Sequence, residues 1–215
     1  MTPAQRKQNS ETVLKRHDIP CNSNLPLIES EDEVHLRTTG ELLERLVALW
    51  AVAGTAFLRD NDFFRRYIVE NNLVGWLSAS ERDFLLADRP TQQQLIHASW
   101  QLEGLYFLAW CGGLVDRLEI PSTESSVKSF MHLFPQEGED LARLQGALSV
   151  RSLPEVLNWA DLLYRLHWAV RDAQLRGSPS PSAIKGGVVQ EWHRAVNWMT
   201  RYDEEDDWDA VATDT

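Results

Sequence analysis

The residues best equipped for chemistry lie in the last third of the chain. The run Asn158–Asp172 holds Asp161, Arg165 and His167, and the run Val188–Trp198 holds Glu191, His193 and Asn197. An acidic tail, Asp203 to Thr215, carries Trp208 and Asp214. Carboxylates, imidazoles and a guanidinium at such spacings suit acid–base work, cation capture or an ordered polar core. Burying them is costly unless each polar group finds a partner. A further carboxylate, Glu103, sits in the run Leu95–Gly113, which is apolar nearly all round after Gln101. There it must meet a cation, meet N–H or O–H donors, or take up a proton. The structural reading is a buried pair or strut; the chemical reading is an acid or base with a raised pKa.

Helical geometry, at about 100° per residue, sorts these groups into faces. In the first run Leu162, Leu166, Ala169, Val170 and Ala173 share an apolar arc, opposite Asp161, Tyr164, Arg165, Trp168, Arg171 and Asp172. Asp161 and Arg165 are one turn apart and can pair. Arg165 is also the expected partner of Glu103, because a guanidinium suits a buried bidentate carboxylate. His167 falls between the arcs, where a hydrogen-bonded core role is the plain expectation. In the second run Val188, Val189, Trp192, Ala195, Val196 and Met199 form the apolar face. Glu191 and Trp198 flank it on one edge, His193 and Asn197 on the other, so Glu191 and His193 diverge.

Several chemistries are excluded or disfavoured. The helical zinc pattern His-Glu-x-x-His needs a second histidine at i+4, where this chain has Asn197. There is no Gly-x-Ser-x-Gly elbow, no phosphate-binding P-loop and no Gly-x-Gly-x-x-Gly. The acidic tail lacks the glycine and alternate ligands of a calcium loop. No cofactor and no metal are expected; a metal would need ligands from several helices, such as Glu103 or Asp161. The net charge of −11 opposes binding to nucleic acid or anionic lipid and is compatible with a basic protein partner. The two cysteines, Cys21 and Cys111, make neither a disulfide framework nor a CxxC pair. No apolar window reaches the roughly 18 residues of a membrane span, and no signal-peptide core follows the N-terminus, so the cytoplasm is the expected compartment.

The elements that position these groups read as helices. Thr2/Gln5, Thr38/Glu41, Ser78/Glu81, Thr91/Gln94 and Ser152/Glu155 all have capping-box spacing. Helices are predicted near 3–17, 40–58, 60–72, 79–87, 92–112, 124–134, 137–147, 154–176 and 188–202. No stretch alternates with a period of two, so the expected fold is all-α, a single multi-helix domain with at most a short extended segment near 19–28, where Pro20 and Pro26 discourage helix. Residues 1–38 read as a helix and acidic connector, 39–202 as the helical core and 203–215 as an acidic tail. The tail is expected to be solvated unless Trp208 and Val211 pin it. Gly177–Gly187 reads as a connector, or as a lid over a neighbouring site.

Four runs resemble, in order, those of the family catalogued as domain of unknown function 4272. They are Ser99–Trp110, Asp161–Asp172, Glu191–Trp198 and Trp208–Thr215, with Leu36-Arg37 and Glu81–Leu85 upstream. Trp192 stands where that pattern has arginine, and Ala210 where it has aspartate. The resemblance implies a mainly helical protein and supplies no activity. It marks Glu103, Asp161, Arg165, His167, Glu191, His193, Asn197 and Asp214 as matching positions.

Two functional expectations follow. One is a binding protein that acts by occlusion of a basic partner, in the manner of an immunity protein. The other is a hydrolase using Glu103, Asp161, Glu191 and His193, with or without a divalent metal.

Overall fold

The computed structural model describes residues 1–58 and 61–215. Its α-helices are α1 (Pro3–Arg16), α2 (Thr39–Leu58), α3 (Asn61–Glu70), α4 (Ala79–Leu85), α5 (Gln92–Cys111), α6 (Ala142–Ala147), α7 (Leu153–Leu175) and α8 (Gly186–Met199). Among the described residues there is no strand. Among those residues no helix is long and apolar enough to cross a membrane. The capping chemistry works as the spacing implies. The Thr2, Ser78 and Thr91 hydroxyls each accept the N–H three residues on, while Gln5, Glu81 and Gln94 reach back.

Three helix expectations need correction, each for a local reason. The predicted helix 124–134 is only a single 3₁₀ turn, Met131–Leu133. Ser125 gives its N–H and its hydroxyl to Glu103 instead, and Pro135 stops continuation. The predicted helix 137–147 shrinks to α6 because Gly138 takes φ +78° and Asp140 Oδ1 accepts from the N–H of Ala142. The last helix ends at Met199, since Arg201 adopts φ +54°. The predicted start of α3 at residue 60 lies outside the described residues.

The order of packing places the site. α5 lies between α2 and α8, α8 lies between α5 and α7, and α1 covers α7. The central helices α2 and α5 are buried along most of their length. α8 approaches α5 closely because residue 187 is glycine: a Cβ there would fall 2.7 Å from the Trp100 ring. One hydrophobic cluster takes in Leu14 and Ile19 from the N-terminal stretch, all the long helices, and Trp208 from the tail. Burial of this kind contributes roughly 25 cal/mol per Å² of apolar surface, so the tail is held by the same force as the helices.

Candidate functional site

α7 and α8 pack side by side and bring two imidazoles together. His167 and His193 face each other Nδ1 to Nδ1 at 2.9 Å, with the rings 5.2 Å apart and nearly perpendicular. Only one proton fits between the two nitrogens, so one ring donates and the other accepts. Burial is the main reason neither ring charges: His193 is pushed down to about 3 and His167 to about 4. Arg171 adds to the effect on His167, and His167 to that on His193. At neutral pH the pair is an uncharged polar unit.

His193 also lines a cleft of about 500 Å³, within the range of small-molecule and side-chain pockets. Its floor includes Tyr164 from α7 and His193 and Asn197 from α8. One wall is the connector Pro26–Glu29 with Glu33 and Val34; the other is the turn Thr200–Glu204 and the end of the tail, Asp214 and Thr215. Among the described residues five carboxylates line it, Glu29, Glu33, Asp203, Glu204 and Asp214, against one cation, Arg201. That cation is committed elsewhere, to Glu41 and Asp206. The Tyr202 phenol reports the resulting field. Its pKa is raised by burial first, then by Asp203, Asp214, Glu29 and Tyr164. Glu33 is held below its ordinary value by the Ser30 N–H and hydroxyl.

Each wall is fixed by groups behind it. Asp161 and Arg165 form a buried bidentate pair at 2.7 and 2.9 Å, and Arg165 Nη2 donates to the carbonyl of Pro26 at 3.2 Å. This pair therefore holds the connector wall. Arg37 holds the opposite wall. Its backbone N–H donates to Met199 O, its Nε to Trp198 O and its Nη2 to Glu205 O, while Nη1 pairs with Asp206. Between Met199 and Glu205 the chain is strained: Arg201, Asp203 and Glu204 all take φ between +54° and +56°. Such non-glycine residues each cost on the order of 1–3 kcal/mol and persist only where their surroundings over-determine them. Asn197 Nδ2 donates to Ala212 O at 2.8 Å and brings the tail end to the cleft.

The remaining predicted residues lie elsewhere. Glu103 does not meet Arg165, a correction of the expected pairing: Arg165 is taken by the nearer Asp161 on its own helix. Glu103 finds donors instead, in Ser125 N–H at 2.9 Å, the Ser125 hydroxyl and Trp192 Nε1 at 3.2 Å. Trp192 thus serves Glu103 through an indole N–H. Glu191 lies on the other edge of α8 from His193, its nearest cation Arg194 at 4.0 Å. Burial pushes it up to about 7, with Arg194 opposing and Glu103 reinforcing. Neither Glu103 nor Glu191 lines the cleft, and no residue of 177–187 does, so that loop is a connector with respect to it. Sequence reasoning missed Glu29, Glu33, Tyr202, Asp203 and Glu204 as lining residues. The acidic runs at both ends of the chain were the available signal, but nothing local shows that they meet. A second groove of about 600 Å³ is lined by Trp50, Phe57, Phe64, Leu105 and Met131; its charged groups among the described residues are Arg66 and Glu137, which pair at 3.2 Å.

A family model described as Domain of unknown function (DUF4272) matches residues 6–211 of the 215-residue chain. The chain belongs to that family. Comparison with curated proteins and with solved structures returned no match. The DUF4272 match spans both walls of the cleft up to Val211, and the floor with them. Among the described residues of this DUF4272 protein, no group of three or more His, Cys, Asp or Glu is placed to share a metal ion.

Proposed function

We propose that the protein is a binding module that takes a cationic group of a basic partner protein into the acid-lined cleft and acts by occlusion. The observation that supports this reading is the cleft itself: among the described residues, five carboxylates from the connector, the turn and the tail line it with a neutral histidine at its floor, and its lining cation, Arg201, is committed elsewhere. A cleft lined by one sign of charge focuses its field and attracts ligands of the opposite sign. Because Asp203, Glu204 and Asp214 are exposed, the attraction is screened by salt. The hydrolase reading asks Glu103, Asp161, Glu191 and His193 to converge; of these, His193 alone lines the cleft.

The test is isothermal titration of a short peptide of lysines and arginines, with an acidic peptide of the same length as control, at low and at physiological salt. The expected result is saturable binding of the basic peptide, weakened by salt and by Asp203→Asn with Asp214→Asn. Absence of binding at low salt would refute the reading.

A further inference from the structure

We infer that the group seated in the cleft is a guanidinium, the head of an arginine side chain, rather than an ammonium; this rests on the reading of the cleft as a cation site. The acceptors come from separate directions. Glu29 belongs to the connector, Asp203 and Glu204 to the turn after α8, and Asp214 to the tail. Asp203, Asp214 and Glu29 line the same cleft as Tyr202, and each raises the pKa of its phenol. A planar guanidinium offers five N–H donors in a fixed fork and can reach acceptors on different sides; an ammonium presents three from a single point.

The walls and floor suit a flat cation as well. Tyr164 and Tyr202 both line the cleft, and guanidinium planes stack on aromatic faces. Arg165 already lies 5.8 Å from the Tyr164 ring, which leaves Tyr202 for an incoming plane. On the floor, His193 is only 3% exposed and Asn197 only 7%. His193 turns Nδ1 to His167, which does not line the cleft, and this leaves Nε2 as the ring nitrogen free to face it. Among the described residues neither that nitrogen nor Asn197 Oδ1 has a hydrogen-bond partner. Both atoms belong to buried residues but are not sealed from the cleft, so they are neutral acceptors open to the donors that a guanidinium would supply. For Nε2 to accept, His193 must carry its proton on Nδ1 and donate it to Nδ1 of His167. The inference therefore fixes a tautomer as well as a ligand.

Two blocked peptides that differ only in one arginine or one lysine are titrated into the full-length protein at low salt. The arginine peptide is expected to bind at least about tenfold tighter, a difference of about 1.4 kcal/mol. Tyr202→Leu and Asp214→Asn, each checked for unchanged thermal unfolding, should narrow that gap. Equal affinities for the two peptides would overturn the guanidinium assignment and leave the cleft a general cation site. Failure of both to bind would remove the cation site itself. Two-dimensional ¹⁵N spectra of the imidazoles give a readout that needs no ligand: an unprotonated Nε2 on His193 supports the assignment, and a protonated one contradicts it.

Discussion

Two polar clusters flank α8, built from the same residue types and put to different ends. On one side, Glu103 with Ser125 and Trp192 is closed off among helices. Trp208 seals that side. It is 2% exposed and donates its indole N–H to Gln101 Oε1 at 3.2 Å. The guanidiniums of Arg45 and Arg194 lie 4.9 and 4.6 Å from its ring. Asp209 completes the seal by accepting from the Ser78 hydroxyl and from the N–H and hydroxyl of Ser80. On the other side, His193 and Asn197 reach an open cleft with acceptors to spare. A buried polar group marks a site only where part of its hydrogen-bonding capacity faces a space that a ligand can enter. Where every partner is protein, the same group is a strut.

The contrast can be broken experimentally, beginning on the closed side. Trp208→Ala removes the seal and should cost about 3–5 kcal/mol of stability, read from the urea midpoint. Trp208→Phe should recover the packing but not the bond to Gln101. Asp161→Asn strands the buried Arg165 and should cost nearly as much, up to about 3–5 kcal/mol, while loosening the connector wall. Glu103→Gln keeps the shape but cannot satisfy three donors, and about 1–2 kcal/mol is expected. If its urea midpoint equals that of the native protein, Glu103 is not a strut. Asp214→Asn, on the open side, should leave the urea midpoint unchanged and weaken only the binding of basic peptides.

The pH-dependent effects have opposite signs. The histidines have folded values of about 3 and 4 against an ordinary 6.5. Below pH 6.5 the unfolded chain binds protons that the native pair refuses, so stability falls from there towards about pH 4. Glu191 runs the other way, with a folded value of about 7 against 4.5. The native state holds a proton that the unfolded chain releases, so this contribution is lost as pH rises from 4.5 through 7. Urea midpoints from pH 4 to 8 should show His193→Gln flattening the acid limb and Glu191→Gln flattening the neutral one.

Much of the architecture was legible because it is local. Capping boxes at Thr2, Ser78 and Thr91 and the apolar arcs of α7 and α8 need only the chain's own periodicity. The divergence of Glu191 from His193 followed from the same geometry. The pairing of Glu103 did not, because several donors could satisfy a buried carboxylate. Its actual partner, Ser125, lies in a segment that reads as helix until that bond is known. The cleft was least visible. Its carboxylates lie in the connector and in the tail, far apart along the chain, and the contacts that join them, Arg37 to Glu205 and Asn197 to Ala212, run through backbone carbonyls. A carbonyl is present at every residue and leaves no mark in a sequence.

By itself, then, the sequence determined the long helices, their buried faces, the acidic charge and the residues whose burial had to be compensated. Period and composition act within a few residues and need no partner. Tertiary structure alone decided which polar group met which, that Trp208 would seal one side of α8, and that the two acidic ends would converge over His193. Those outcomes depend on which of several adequate donors and acceptors the packing of helices brings within about 3 Å.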